Sequence, residues 1–299
     1  MKKILVTGGT TFVSRFTAKY FAEHGFDVHV LNRGSREQVP GVTLIKGDRH
    51  ELGDLLKSHD FDAVLDITSY NADDVNCLLD GLGNYGTYIL ISSSAVYPEN
   101  GAQPFDEYGK LGENKFWGRY GTDKIAAEQA LLARVQDAYV LRPPYLYGPM
   151  NNVYREAFVF DCAKADRKFY LPGDGSMKLQ FFHVEDLCRL MEIIISDKPA
   201  EHILNVGNSD AVTVREWAQI CYECLGKKPE FVNVTADIEQ RLYFSFYNYE
   251  YCLDVSRMQK LLPVTKDLRE GLDECAAWYE GNDSEVRKKP MMEYIDNNL

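Results

Sequence analysis

The first hundred residues place short apolar runs at regular intervals, with helix-like stretches between them. The runs are Lys3 to Thr7, Asp27 to Leu31, Val42 to Lys46, Ala63 to Ile67 and Thr87 to Ser92. Their centres (ILV, VHVL, AVLDI, YILI) are apolar on both faces, as strands are when helices cover both sides of their sheet. After the first run, Phe12, Phe16, Tyr20 and Phe21 fall on one helical stripe. Such an alternation specifies an α/β fold built on a doubly wound parallel sheet.

Past Pro143 the rhythm breaks. A helix is expected near Val153 to Ala165, a turn at Pro172-Gly173-Asp174-Gly175, a helix over Thr213 to Leu225, and a C-terminal helix near Asp267 to Tyr279. Strand-like His202 to Val206 is expected to return to the main sheet. The division predicted is a dinucleotide-binding domain over 1–150, joined by segments within 179–210, and a smaller α+β substrate lobe over 151–178 and 211–299. At 299 residues the chain has room for both. The last dozen residues, around Arg287-Lys288-Lys289-Pro290, are expected to be a solvated tail.

Composition narrows the function classes. A formal net charge of -12 repels nucleic acid and anionic membrane, so nucleic-acid binding is disfavoured. No apolar run approaches the ~20 residues a membrane span needs, and the apolar start is too short for a signal peptide. Seven irregularly spaced cysteines do not form a disulfide framework, so reduced thiols and a cytoplasmic location are expected. Cys221 and Cys224 form a CxxC, but they share a helical stripe with Val214, Trp217 and Ala218, which points to core packing and no metal site.

The first strand runs into Thr7-Gly8-Gly9-Thr10-Thr11-Phe12-Val13-Ser14 and then a helix. A tight turn there aims backbone N–H groups and a positive helix end at one spot, which suits a pyrophosphate. Gly8, Thr10, Thr11, Phe12 and Val13 are the expected contacts. Against a G-x-x-G-x-x-G spacing only Gly8 is in phase, with Thr11 and Ser14 at the other two places. The second strand ends Leu31-Asn32-Arg33-Gly34-Ser35-Arg36. Asn32 can bond a ribose hydroxyl without repelling phosphate, and Arg33 and Arg36 can pair a 2′-phosphate, so both NAD and NADP stay open.

Tyr120-Gly121-Thr122-Asp123-Lys124 opens a helix, and the i, i+4 spacing puts phenol and ammonium on one face. A nearby cation lowers a phenol's pKa from about 10 toward a useful base. The fifth strand ends in Ser92-Ser93-Ser94, at the sheet edge where parallel sheets bind ligands.

With these motifs in this order the chain resembles the extended short-chain dehydrogenases/reductases, the NAD-dependent epimerase/dehydratase family, whose fold is Rossmann-type. The resemblance also covers Leu141-Arg142-Pro143-Pro144-Tyr145-Leu146-Tyr147-Gly148-Pro149, Phe182-His183-Val184-Glu185-Asp186-Leu187 and Asn205-Val206-Gly207-Asn208. It implies hydride chemistry on a sugar, nucleotide-sugar or related hydroxy/keto substrate. In it Tyr120 acts as base, Lys124 holds the nicotinamide ribose and lowers the phenol's pKa, and Ser93 orients the substrate oxygen. Asp48 looks like the family's adenine-contacting aspartate. Ser94 and Ala95 stand where sugar-nucleotide dehydratases carry an acidic pair, and Leu179 stands where UDP-sugar epimerases carry an arginine. The Thr-Gly-Gly-Thr-x-Phe opening followed by Arg15 is similar to an atypical branch with members that bind chloroplast RNA stem-loops. A dinucleotide-sensing or RNA-associated protein without turnover is therefore the alternative. The resemblance further implies a homodimer through about Ala72 to Leu82 and Lys124 to Val135, with Leu79, Leu82 or Leu132 as exposed contacts.

Overall fold

A computed structural model describes all residues, 1–299. Seven strands, β1 (Lys3–Thr7), β2 (Asp27–Asn32), β3 (Val42–Lys46), β4 (Phe61–Asp66), β5 (Tyr85–Ile91), β6 (Tyr139–Arg142) and β7 (Ile203–Asn205), form one sheet in the order β7-β6-β5-β4-β1-β2-β3. Every pairing in it is parallel. The expected Rossmann-type sheet is present, and the strand predicted to return from the second half is β7, with Leu204 opposite Leu141.

Alternate residues of each strand feed two cores, which is why the strands read as apolar on both faces. Ile4 and Val6 face α1 (Phe12–Glu23) and α5 (Val184–Asp197), while Leu5 and Val64 face α2 (Ala72–Gly81) and α3 (Arg119–Arg134). Strand order reverses between β1 and β4, so the loops leaving their C-terminal ends diverge and open a crevice. Thr7 ties those ends together: its hydroxyl donates to Asp66 at 2.9 Å and accepts from the backbone N–H groups of Ile67 and Thr68.

A further group of elements comprises α4 (Glu156–Lys164), α6 (Val214–Glu223), α7 (Ser256–Leu261) and α8 (Leu268–Asn282), with short strand pairs such as Phe169–Pro172 beside Phe231–Val234. Its aromatic centre, where Trp217 packs on Phe181, Phe244 and Phe246, is continuous with the α1–α5 face of the sheet. Cys221 is buried in this core, where burial pushes its thiol well up.

Two expectations change. The C-terminal residues are not a free tail: Met291–Asn298 form a helix, α9, whose Met291 and Ile295 are buried one turn apart. Leu79 and Leu82 are not exposed for a dimer contact either. They lie on the same stripe as Val75 and Leu78 and are buried between α2, α3 and the sheet, leaving Leu132 only partly covered. No helix is long and apolar enough to cross a membrane.

Candidate active site

A cleft of about 730 Å³ runs along the C-terminal edge of the sheet, from Gly8 through Ser93 and Tyr120 to Arg155 and Arg287. Gly8, Thr10, Thr11, Phe12 and Val13 all line it. Gly8 has φ +94, and a Cβ there would meet Ser14 Oγ at 2.8 Å and Thr68 Cγ2 at 2.9 Å. A side chain at this position would collide with the turn itself, so only a glycine lets β1, the start of α1 and the loop after β4 come this close. Ser14, at the family's third glycine place, fits because its hydroxyl turns back to donate to the Thr11 carbonyl at 3.0 Å. Helix α1 starts with no side-chain cap, so its first N–H groups remain available to a phosphate. The turn therefore fits a dinucleotide despite its sparse glycines.

At Gly8 and Thr68 the cleft meets a second hollow of about 310 Å³, lined by Asn32, Arg33, Asp48, Arg49 and His50. It has the place and size for the adenosine end of the cofactor. Asn32 is occupied by its own turn: its amide donates to Gly8 O at 2.6 Å and Gln38 Oε1 at 2.9 Å, and its oxygen accepts from Gly34 N. Arg33 lines the hollow, and Arg36 reaches Thr11 Oγ1 at 3.5 Å; neither has a carboxylate within ion-pair distance. Asp48 caps the turn Arg49–Glu51, accepting from His50 N at 3.1 Å.

Ser93, Tyr120 and Lys124 meet at the centre of the main cleft. Gly121 makes this possible, since a Cβ there would run into the Ala95 carbonyl oxygen and push α3 away from the Ser93 turn. Ser93 lies close enough to the Tyr120 hydroxyl to favour the phenolate. The ring is 41% exposed because it borders an open cleft, yet the protein packed around the phenol raises its pKa above the ordinary value through burial. Lys124 is almost fully buried and donates to the backbone carbonyls of Ser69 at 2.7 Å and Ile91 at 2.8 Å, with its ammonium 5.0 Å from the Tyr70 ring centre. Burial brings Lys124 down to about 8, against the opposing pull of Asp66, Glu128 and Asp74. The expectation that Lys124 lowers the Tyr120 pKa is corrected: burial dominates and shifts the phenol up, and the charges acting on it are those of Tyr70 and Arg155.

One turn after Lys124, the sequence motifs missed a positioning network. Glu128 is buried and forms a two-pronged pair with Arg142, at 2.6 Å and 3.0 Å, and accepts from the Ser92 hydroxyl. Arg142 also donates to Tyr97 Oη at 2.9 Å, and Tyr97 donates to Asn205 at 2.7 Å. Helix α3 is thereby fastened to the ends of β5, β6 and β7, fixing where Tyr120 and Lys124 stand.

The rest of the cleft wall is rich in aromatic rings, among them Phe116, Trp117, Tyr145, Tyr247 and Tyr251, and no carboxylate lines this cleft. Ser94 donates to Tyr251 Oη at 3.0 Å, and Leu179 is buried in the core. Nothing here resembles the acidic pair a dehydratase uses.

Comparisons with known proteins agree with this fold. The chain is 28% identical over 298 residues to the chloroplast stem-loop binding protein of 41 kDa b from Arabidopsis thaliana, covering 91% of this chain and 77% of that protein. It is 26% identical to UDP-glucose 4-epimerase from Corynebacterium glutamicum, over 75% of this chain and 80% of that one. In structure it is similar to the Bordetella bronchiseptica enzyme WbmH in complex with NAD+, with a TM-score of 0.77, 17% identity, and coverage of 94% and 99% of the two chains. The sequence profile described as the NAD dependent epimerase/dehydratase family matches residues 4–207, and the chain belongs to that family of NAD(P)-dependent enzymes.

Proposed function

We propose that this protein is an epimerase or reductase that works at a hydroxyl- or keto-bearing carbon of a sugar, nucleotide sugar or related substrate, with residues 151–178 and 211–299 as its substrate lobe. The observation that carries this is that Ser93, Tyr120 and Lys124 line one stretch of a dinucleotide-sized cleft whose wall around them carries no carboxylate. When bound, the oxidised dinucleotide supplies a hydride acceptor and positive charge beside the phenol. Gly8 to Val13 hold its pyrophosphate, Asn32 to Arg36 and Asp48 flank its adenosine, and Lys124 holds the nicotinamide ribose. Ser93 Oγ fixes the substrate oxygen, and Tyr120 Oη takes the proton from a hydroxyl or returns it to a carbonyl. Burial shifts the phenol up, so the positive charge of the bound dinucleotide is what favours phenolate there, while the Lys124 ammonium, mostly charged at pH 7 with its value near 8, serves the ribose. The test is a panel of sugar nucleotides and small hydroxy-ketones, read by nicotinamide absorbance for net reduction and by NMR for epimerised product. Neither signal from any compound would count against the assignment.

NADP is the preferred cofactor in this account, since Arg33 and Arg36 flank the ribose position without acidic partners and Asn32 brings no negative charge there. Replacing both arginines with alanine should weaken NADP roughly tenfold or more and leave NAD nearly unchanged. Equal losses for both dinucleotides, by calorimetry, would refute the phosphate role.

We also propose a homodimer across α2 and α3, with half-buried Leu132 as the apolar residue left at that surface. Light scattering at tens of micromolar should give twice the chain mass, and a monomer would contradict this. The seven free thiols fit a reducing compartment such as the cytoplasm. A second reading, RNA association, is supported by the similarity to the Arabidopsis chloroplast stem-loop binding protein and by the opening from Thr7 to Phe12 followed by Arg15. RNA retention falling steeply with salt would mark it.

A further inference from the structure

Lys124 is almost fully buried, yet no carboxylate lies within 4.0 Å of its ammonium. Of the three N–H groups an ammonium offers, one donates to the Ser69 carbonyl at 2.7 Å and one to the Ile91 carbonyl at 2.8 Å. Only the third is left for the nicotinamide ribose. Loss of a proton would leave two N–H groups, both engaged by carbonyls, so the ribose contact exists only while Lys124 is charged. Its charge must be supported by groups that do not touch it.

Asp66, the last residue of β4, is fully buried and stands one bridging residue away. The Ser69 hydroxyl donates to Asp66 Oδ2 at 2.5 Å, while the carbonyl of the same Ser69 accepts from Lys124. Thr7 donates to Asp66 Oδ1 at 2.9 Å and Tyr88 to Oδ2 at 2.7 Å. Burial first, and then the Asp66 charge, hold the Tyr88 phenol well up, so it stays a donor. Both oxygens are thus fixed by hydroxyls, which orient the carboxylate without cancelling its charge. The Arg49 guanidinium comes no closer to Asp66 than 3.6 Å and is shared with the hydroxyls of Thr68 and Ser69, at 2.7 Å and 2.5 Å.

The other charges around Lys124 have tasks of their own. Glu128 is paired with Arg142, and Asp74 accepts from the Tyr70 N–H at 2.8 Å and faces His50 at 3.2 Å. Burial brings Lys124 down to about 8; Asp66 opposes this most, ahead of Glu128 and Asp74, and Arg49 adds to the lowering. The rings of Tyr70 and Tyr120 complete the surroundings without a formal charge.

We propose that Asp66 is a positioning residue for Lys124: through Ser69 it fixes where the ammonium stands, and it supplies the counter-charge that keeps the third N–H available to the ribose. Asp66 lines neither hollow of the cleft, so it acts through Lys124. The ribose role of Lys124 is taken from the function proposed above.

The test titrates full-length protein, isotope-labelled at the lysine ε-carbons and free of dinucleotide, and follows by NMR the signal that is lost in Lys124→Gln. In wild type a midpoint of about 8 is expected, and one at about 6 or below, as for buried lysines without a counter-charge, would overturn the proposal. Asp66→Asn keeps the size of the side chain and removes its charge. The midpoint should then fall by about one pH unit, tenfold in the protonation constant. Should that variant not fold, Asp66→Asn is combined with Arg49→Gln, which leaves no unpaired arginine. The midpoint should still fall, since Asp66 acts on Lys124 more strongly than Arg49 does.

Calorimetry then reads dinucleotide affinity against pH. Affinity should weaken as pH rises through the Lys124 midpoint, earlier in the variant, and the variant should regain wild-type affinity at about pH 6, where Lys124 is charged in both. A merely structural Asp66 would instead weaken binding evenly at every pH. That even loss, or a midpoint unchanged from wild type, overturns the proposal. Should no dinucleotide bind at all, the function proposed above fails, and the lysine titration still decides whether Asp66 is the counter-charge.

Discussion

Tyr120→Phe is expected to lower turnover by about 10²–10⁴-fold on any accepted substrate, with cofactor affinity nearly unchanged. The substitution removes one oxygen, the one beside Ser93, and leaves the ring in its place against Tyr70. Ser93→Ala should cost less, because it removes a hydrogen bond that positions the substrate and keeps the base. Turnover at the wild-type rate in Tyr120→Phe would make Tyr120 a packed aromatic and nothing more.

Glu128→Ala is expected to destabilise the fold by about 3–5 kcal/mol, the range for removing one partner of a buried ion pair. Arg142 would remain buried, facing Tyr97 and the Glu107 carbonyl with no counter-charge. Ser92 would also lose its acceptor. The shift is read from the urea midpoint at constant slope. A loss below ~1 kcal/mol would mean that Arg142 finds water or another acceptor, and that the pair does not fasten α3.

The sheet was legible because each strand is a separate apolar run whose two faces meet two different cores, as Ile4 and Leu5 do. Tyr120 and Lys124 were equally legible, being one helical turn apart and followed by apolar helix residues. What surrounds them was not. The acceptors of Lys124 are backbone carbonyls of Ser69 and Ile91, which carry no residue signature, and the desolvation that shifts both groups depends on the whole packed surroundings. Glu128 and Arg142 each stood within a recognised stretch, but only the register of α3 on β6 brings them together. Two misplacements had signals that were passed over. Val75, Leu78, Leu79 and Leu82 keep the i, i+3, i+4, i+7 spacing of a core stripe, and Met291 and Ile295 are spaced to anchor a helix.

The central claim is that the cleft along β1, β2 and β4 holds a nicotinamide dinucleotide, and calorimetric titration of the wild-type protein with NADP and with NAD tests it most directly. The account predicts one site per chain, with NADP bound more tightly. No heat of binding from either dinucleotide at millimolar concentration would contradict it.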